Sequence, residues 1–188
     1  MKKLKKRFII PAVVFILGMC ALIGELYVVG ENQEQHNRTK AKVNAMTYAE
    51  HINGELMEGI GVTDTLKQVV ISGDGNINKF YDVAANMMDD SIQSIQIAPN
   101  GVVNEIYPED VNESGKIDLI NDSDRGEISR YARDNDTVIM QGPFELKQGG
   151  YGIAVRNPVY LKDENGKKSF WGFTIVILKV PEIFSNSV

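Results

Sequence analysis

Between Met140 and Val176 the chain alternates β-branched and aromatic runs with glycine and polar turns. That spacing predicts neighbouring antiparallel strands, because each run is long enough for a strand and each break carries turn residues. Small and bulky residues alternate around Gln141, Gly142, Pro143 and Phe144, and glycines at 149, 150 and 152 let a backbone approach something closely. Arg156 lies inside an apolar run, after Ile153, Ala154 and Val155 and before Pro158 and Val159. A cation there is either a solvated residue on a sheet or a group placed for a purpose.

The N-terminus sets the second constraint. Lys2, Lys3, Lys5, Lys6 and Arg7 precede an uncharged run of 17 residues, Phe8 to Gly24, and Leu26 to Gly30 extends it beyond Glu25. As a helix this run spans the ~30 Å of a bilayer core, and the cationic flank predicts a cytoplasmic N-terminus. Residues 1–30 are read as a cytoplasmic end and transmembrane anchor, with contact to the membrane through residues 8–29. A cleaved signal peptide would have a shorter core and a small-residue exit site. A lipoprotein would need Cys20, which lies mid-span behind Met19. The expected location is the cell membrane, single-pass, with the remainder extracytoplasmic.

Cys20 is the single cysteine, so the outer part has no intrachain disulfide and no cysteine metal site or nucleophile. Residues 1–30 hold five of the 20 basic residues and one of the 25 acidic ones, so the remainder carries a net charge of −9. A surface that acidic is a poor partner for nucleic acid and for anionic lipid. The sequons at Asn37, Asn112, Asn121 and Asn135 read as polar loops.

Beyond the anchor, Val43, Met46, Ala49, Ile52, Leu56 and Ile60 recur at helical spacing. Residues 31–62 are expected to form a long stalk helix, ended by Gly59 and Gly61, whose narrow apolar stripe packs on its own domain or pairs two copies as a homodimer. A second helix is expected over 64–72 and a third over about 76–89. The strand Ile92 to Pro99 reads as strictly alternating with two semi-buried sides. Asn100-Gly101 is the strongest hairpin signal in the chain, with residues 102–107 returning. A polar connection follows over 109–122, then a helix capped by Ser123 or Asp124 with Glu127 in its first turn. Strands over about 137–147, 151–161 and 169–180 come next, with a short helix from Pro181. The whole is an α+β plan: a PAS-like antiparallel five-stranded sheet with a long N-terminal helix, preceded by one transmembrane helix. Residues 63–184 would form the sensory domain, its sheet facing a pocket closed by the connecting helix and loops.

No catalytic residue is expected. His36 and His51 both fall on the stalk helix, and no nucleophile, zinc or phosphate-loop motif occurs. Asp118, Asp122, Asp124 and Glu127 invite a calcium reading, but Gly126 falls where a third oxygen ligand is needed, so a helix-capping acidic loop is the better reading and no metal is expected. No cofactor is expected either. A pocket against the sheet would draw on Gln96 and Ala98 from the first strand and Tyr107 from the second. The third strand would add Met140, Gly142, Phe144 and Leu146, the fourth Gly150, Tyr151 and Ile153, and the last Trp171 and Phe173. Arg156 would take a ligand carboxylate in a bidentate fork, or else pair with Asp118 or Glu145.

Over about residues 40–184 the chain resembles the CHASE domain, an extracytoplasmic ligand-sensing module of membrane receptors. The resemblance rests on the order of several segments: the long leading helix, Ile95-Gln96-Ile97-Ala98-Pro99 with Gly101-Val102-Val103, and Ile106-Tyr107-Pro108. Asp118-Leu119 and Arg125 follow, then Gly142-Pro143 and Gln148-Gly149-Gly150. Arg156-Asn157-Pro158-Val159-Tyr160 and Phe170-Trp171-Gly172 complete the series. Ile117 departs from it, since such domains often carry glycine there. The resemblance implies a non-enzymatic receptor input domain, ordinarily set between two membrane spans and followed by a cyclase, phosphodiesterase or histidine kinase. With neither a second span nor an output domain in the sequence, a receptor fragment or a receptor that has lost its output is expected. The alternative is a membrane-anchored protein-interaction module, with a packed interior and an exposed apolar patch.

Overall fold

The computed structural model describes residues 2–109, 115–146 and 150–180. It divides into two compact units, Met1–Thr47, whose described residues are helical, and Tyr48–Val188. The helix α1 runs Lys2–Ser72, with Pro11 inside it. It is the one helix among the described residues long and apolar enough to cross a membrane. The side chains from Val13 to Val29 that could face lipid, such as Phe15, Leu17 and Leu22, are exposed.

The expected stop at Gly59 and Gly61 does not occur, because α1 continues through both to Ser72. Gly59 lies against β5, where an added Cβ would come within 2.9 Å of Leu178. Here glycine lets helix and sheet approach, and tertiary packing outweighs its poor helix propensity. The helix ends instead at Gly73-Asp74-Gly75, where Asp74 and Gly75 have positive φ and the Gly75 amide donates to Val70.

The second unit continues with α2 (Phe80–Ala85), β1 (Ile92–Pro99), β2 (Glu105–Tyr107), α3 (Gly126–Asn135), β3 (Ile139–Glu145), β4 (Tyr151–Lys162) and β5 (Lys168–Lys179). Helix α2 is shorter than the expected 76–89. The five strands form one antiparallel sheet in the order β2-β1-β5-β4-β3. Asn100 and Gly101 both take positive φ in the β1–β2 hairpin, which is why a residue tolerant of the left-handed region followed by glycine marks this turn. Only Glu105–Tyr107 pair with β1, since Val102 and Val103 turn away to bond Asp118 and Ile117. The helix expected after Pro181 lies outside the described residues.

Each face of the sheet carries its own core. On one, Ile92, Ile95, Ile97, Val155, Val176 and Leu178 pack with Leu66 of α1 and with Phe80 and Ala84 of α2; Ile52, Leu56 and Ile60 close over them. On the other, Ala98, Ile106, Ala154, Phe173, Ile175 and Ile177 meet Val103, Leu119 and Ala132 from the connecting loop and α3. The expectation of strict alternation along β1 is corrected here. The register shifts between Ile92 and Ser94, and this bulge turns Ile92 to the same side as Ile95 and Ile97. Ser94 and Gln96 are left for the opposite face.

Candidate functional site

On the face away from α1, strands β1, β5, β4 and β3 and the loop before α3 enclose a half-open cavity of about 320 Å³. Its floor is Ser94 and Gln96 of β1, Ile175 and Ile177 of β5, and Ala154 and Arg156 of β4. The register aligns Gln96 with Ile175 and Ile175 with Arg156, so these three form one row across the sheet. Val103, Ile106, Ile117 and Leu119 form an apolar wall, Phe144 and Leu146 form another, and Arg125 enters from the loop before α3. Pro108, Gln93, Glu109 and Glu145 complete the lining.

Four of the thirteen sequence-expected residues lie together here, Gln96, Phe144, Leu146 and Arg156, while Ile153 packs against the core on the opposite face. The others lie outside the lining. Ala98 and Phe173 are fully buried in the core beyond the cavity's end. Tyr107 faces the opposite side of the sheet, with its ring edge-on to Tyr81, and Trp171 packs on that same side. Met140 and Tyr151 are exposed, and Gly142, inside β3, and Gly150, at a bend, both have positive φ. Along β3 the cause is a bulge: the register shifts between Gln141 and Phe144. That shift re-aims Phe144 onto the face Gln141 already occupies, although the two differ in strand parity. Along β5 the pocket takes the next inward residues after Phe173, at Ile175 and Ile177. Strand parity alone would have found these two, as it would have found Ser94 beside Gln96. Arg125, Glu109 and the loop residues carry no such signal.

Arg156 is 3 % exposed. Its Nη1 donates to Gln141 Oε1 at 2.6 Å, rather than pairing with Asp118 or Glu145. Its buried Nε has no partner among the described residues. Burial, and then the neighbouring charge of Arg125, lower its pKa to about 10, with Asp122 opposing, so it stays cationic at neutral pH. A buried guanidinium with an unused donor favours a compensating anion, since burying an unpaired polar group is costly.

The acidic loop has a structural role. Asp122 Oδ1 accepts the amides of Asp124 and Arg125, each at 2.9 Å, and its Oδ2 lies 3.5 Å from Arg125 Nη1. Asp118 accepts the amides of Ile120 and Asn121, each at 3.0 Å, and the Asn121 side chain at 2.8 Å. These carboxylates hold the turn that brings Arg125 to the cavity. The expected cap by Ser123 or Asp124 is not made: Arg125 stands at the N-cap of α3 without a side-chain cap bond, and Asp122 ties the turn just before it.

The comparisons agree with this architecture. The family model for the CHASE domain matches residues 80–188. An extracellular ligand binding receptor from Desulfohalobium retbaense DSM5692 shares the fold with a TM-score of 0.58 and 13% identity, over 77% of this chain and 26% of that one. This chain thus spans about a quarter of that receptor's length, and the likeness is one of fold. No curated protein matches it. A long N-terminal helix, a five-stranded antiparallel sheet and the family match over most of the second unit lead to one conclusion: the chain belongs to the CHASE domain family of extracellular sensory domains.

Proposed function

We propose that this chain is the extracytoplasmic input domain of a single-pass membrane receptor and that its cavity binds a small molecule through a carboxylate. The observation that carries this reading is Arg156: buried, cationic, its Nε without a partner among the described residues, on the floor of a cavity that a second arginine also enters. A concave apolar site with few, convergent polar groups is what small-molecule recognition uses. It favours a ligand over an interaction module with a packed interior.

The same strands offer a route for the signal. Asn157 follows Arg156 and points to the other face, where its Nδ2 donates to Asp64 at 2.6 Å and its Oδ1 accepts from Lys67 at 3.1 Å. Thr174 precedes Ile175 and donates to the Thr63 carbonyl at 3.0 Å. A ligand that shifts the Gln96–Ile175–Arg156 row therefore pulls directly on residues 63–67 of α1. The helix would carry that shift toward the membrane, as a change between two arrangements of a dimer, to a cyclase or kinase output.

The test is thermal melting of the full chain in detergent micelles against amino acids, organic acids, purines and peptides. A carboxylate ligand should raise the Tm saturably, because binding to the folded state stabilises it by mass action, and Arg156→Met should abolish the rise. A panel without any saturable shift, or one whose shifts survive Arg156→Met, would overturn the reading.

A further inference from the structure

The charges lining the cavity are sorted by position, and on the carboxylate-binding reading above we infer that the ligand is dipolar. Its carboxylate sits at the arginine end, and an ammonium several bonds away faces Glu109 and Glu145 at the mouth. The strand register supports this. Arg156 lies opposite Ile139 and Ile175, whereas Glu145 lies opposite Tyr151, five positions earlier on β4. At ~3.3 Å per residue the two levels stand on the order of 16 Å apart. Glu109 lies on the same side of the Arg156 level as Glu145 but nearer to it, because it follows Tyr107, which pairs with Ile95, and so falls toward the Ile92 end of β1.

At the inner end two arginines face one nearby carboxylate, Asp122, among the described residues, which leaves one positive charge in excess there. That excess matches a single carboxylate. The mouth presents two carboxylates to an incoming cation. Between the ends the walls are apolar, from Ile106, Leu119, Phe144, Ala154 and Ile177, which suits methylenes or a short backbone. An α-amino acid is too short to reach both ends. An ω-amino carboxylate or a short peptide spans them. The mouth carboxylates are exposed, so each contributes modestly and in a salt-dependent way, while the buried arginine dominates affinity.

The experiment is isothermal titration of the full chain in detergent micelles with 6-aminohexanoate, triglycine, hexanoate, hexylamine and glycine. One or both of the long zwitterions should bind about tenfold more tightly than hexanoate, with glycine and hexylamine weaker still. Whichever of 6-aminohexanoate and triglycine binds more tightly separates the ω-amino acid source from the peptide source. The double variant Glu109→Gln/Glu145→Gln should erase the tenfold advantage and leave hexanoate binding unchanged. Arg156→Met should remove binding of all the carboxylates. If hexanoate binds as tightly as both zwitterions and Arg156→Met removes it, the dipolar inference falls while the carboxylate reading stands. If no carboxylate binds, both fall. Binding of glycine equal to that of the long zwitterions would overturn the assigned spacing.

Discussion

Arg156 should contribute little to stability for so buried a residue. Among the described residues its guanidinium bonds Gln141, and Nε has no partner. Replacing a buried, incompletely paired charge with an apolar side chain of similar length is often neutral or stabilising by ~1–4 kcal/mol. Arg156→Met should therefore melt at the same temperature as the parent or above it, even as carboxylate binding falls at least tenfold; a marked drop in Tm would mean the arginine is structural. Asp118 and Asp122 behave in the opposite sense. Hydrogen bonds from the Asn121 side chain and amide hold the Asp118 carboxyl below its usual range, and the Asp124 amide does the same for Asp122. A carboxyl whose folded pKa is depressed stabilises fully above the ordinary aspartate value near ~4 and loses that contribution as pH falls through its folded value. Melting curves of Asp118→Asn and Asp122→Asn should accordingly show a shallower acid limb than the parent, with the variants less stable at neutral pH. The arginine was legible in the sequence as an oddity in an apolar strand. Its partner Gln141 and its companion Arg125 were not, because a hydrogen bond across fifteen residues and a loop's trajectory leave no local pattern.

At the scale of elements, the seam between α1 and the sheet is held by a small polar cluster. Asn157, 1 % exposed, bonds Asp64 and Lys67 across 93 and 90 positions of chain. Asn157→Ala removes both bonds, leaving Lys67 its ion pair with Asp136 and Asp64 open to water, and should cost ~1 kcal/mol in urea unfolding. In a receptor carrying an output domain it should also weaken the response to ligand while leaving binding in place. The contact between β1 and β5 is tighter still. Gly172 has φ of 157° and sits so close to β1 that an added Cβ would overlap the Ala98 carbonyl oxygen. Gly172→Ala should destabilise by more than ~2 kcal/mol, since backbone on both sides must give, and urea denaturation would read it. These elements also mark where strand reasoning fails. The runs over 139–145, 151–162 and 168–179 were visible to within two residues at most boundaries. The bulges at Gln93 and after Gln141 were not, and each turns side chains to the other face without changing composition.

For the whole molecule, the open question is whether α1 pairs with a second copy. Val43, Met46 and Met57 are exposed on it, while Ile52, Leu56 and Ile60 cover the sheet. Cysteines placed singly along residues 40–56 of the otherwise Cys20→Ser chain should cross-link between subunits at helical spacing, and ligand should change which positions react. Uniformly unreactive positions would sink the dimer. What the sequence determined by itself is everything whose cause is local. A seventeen-residue uncharged run behind five cations makes a helix that can span a membrane. Strand-length β-branched runs between turns make an antiparallel sheet, and Asn100-Gly101 makes a hairpin. Tertiary structure decided the rest. It showed that Gly59 is a point of contact inside a continuous helix, that Phe144 rather than Met140 faces the cavity, and that the cavity lies along Ser94–Gln96 and Ile175–Ile177. The physical reason is common to all three. Each depends on which distant backbone lies against the residue, and the free energy of that contact exceeds the local preference of the few tenths to ~1 kcal/mol that a sequence pattern records.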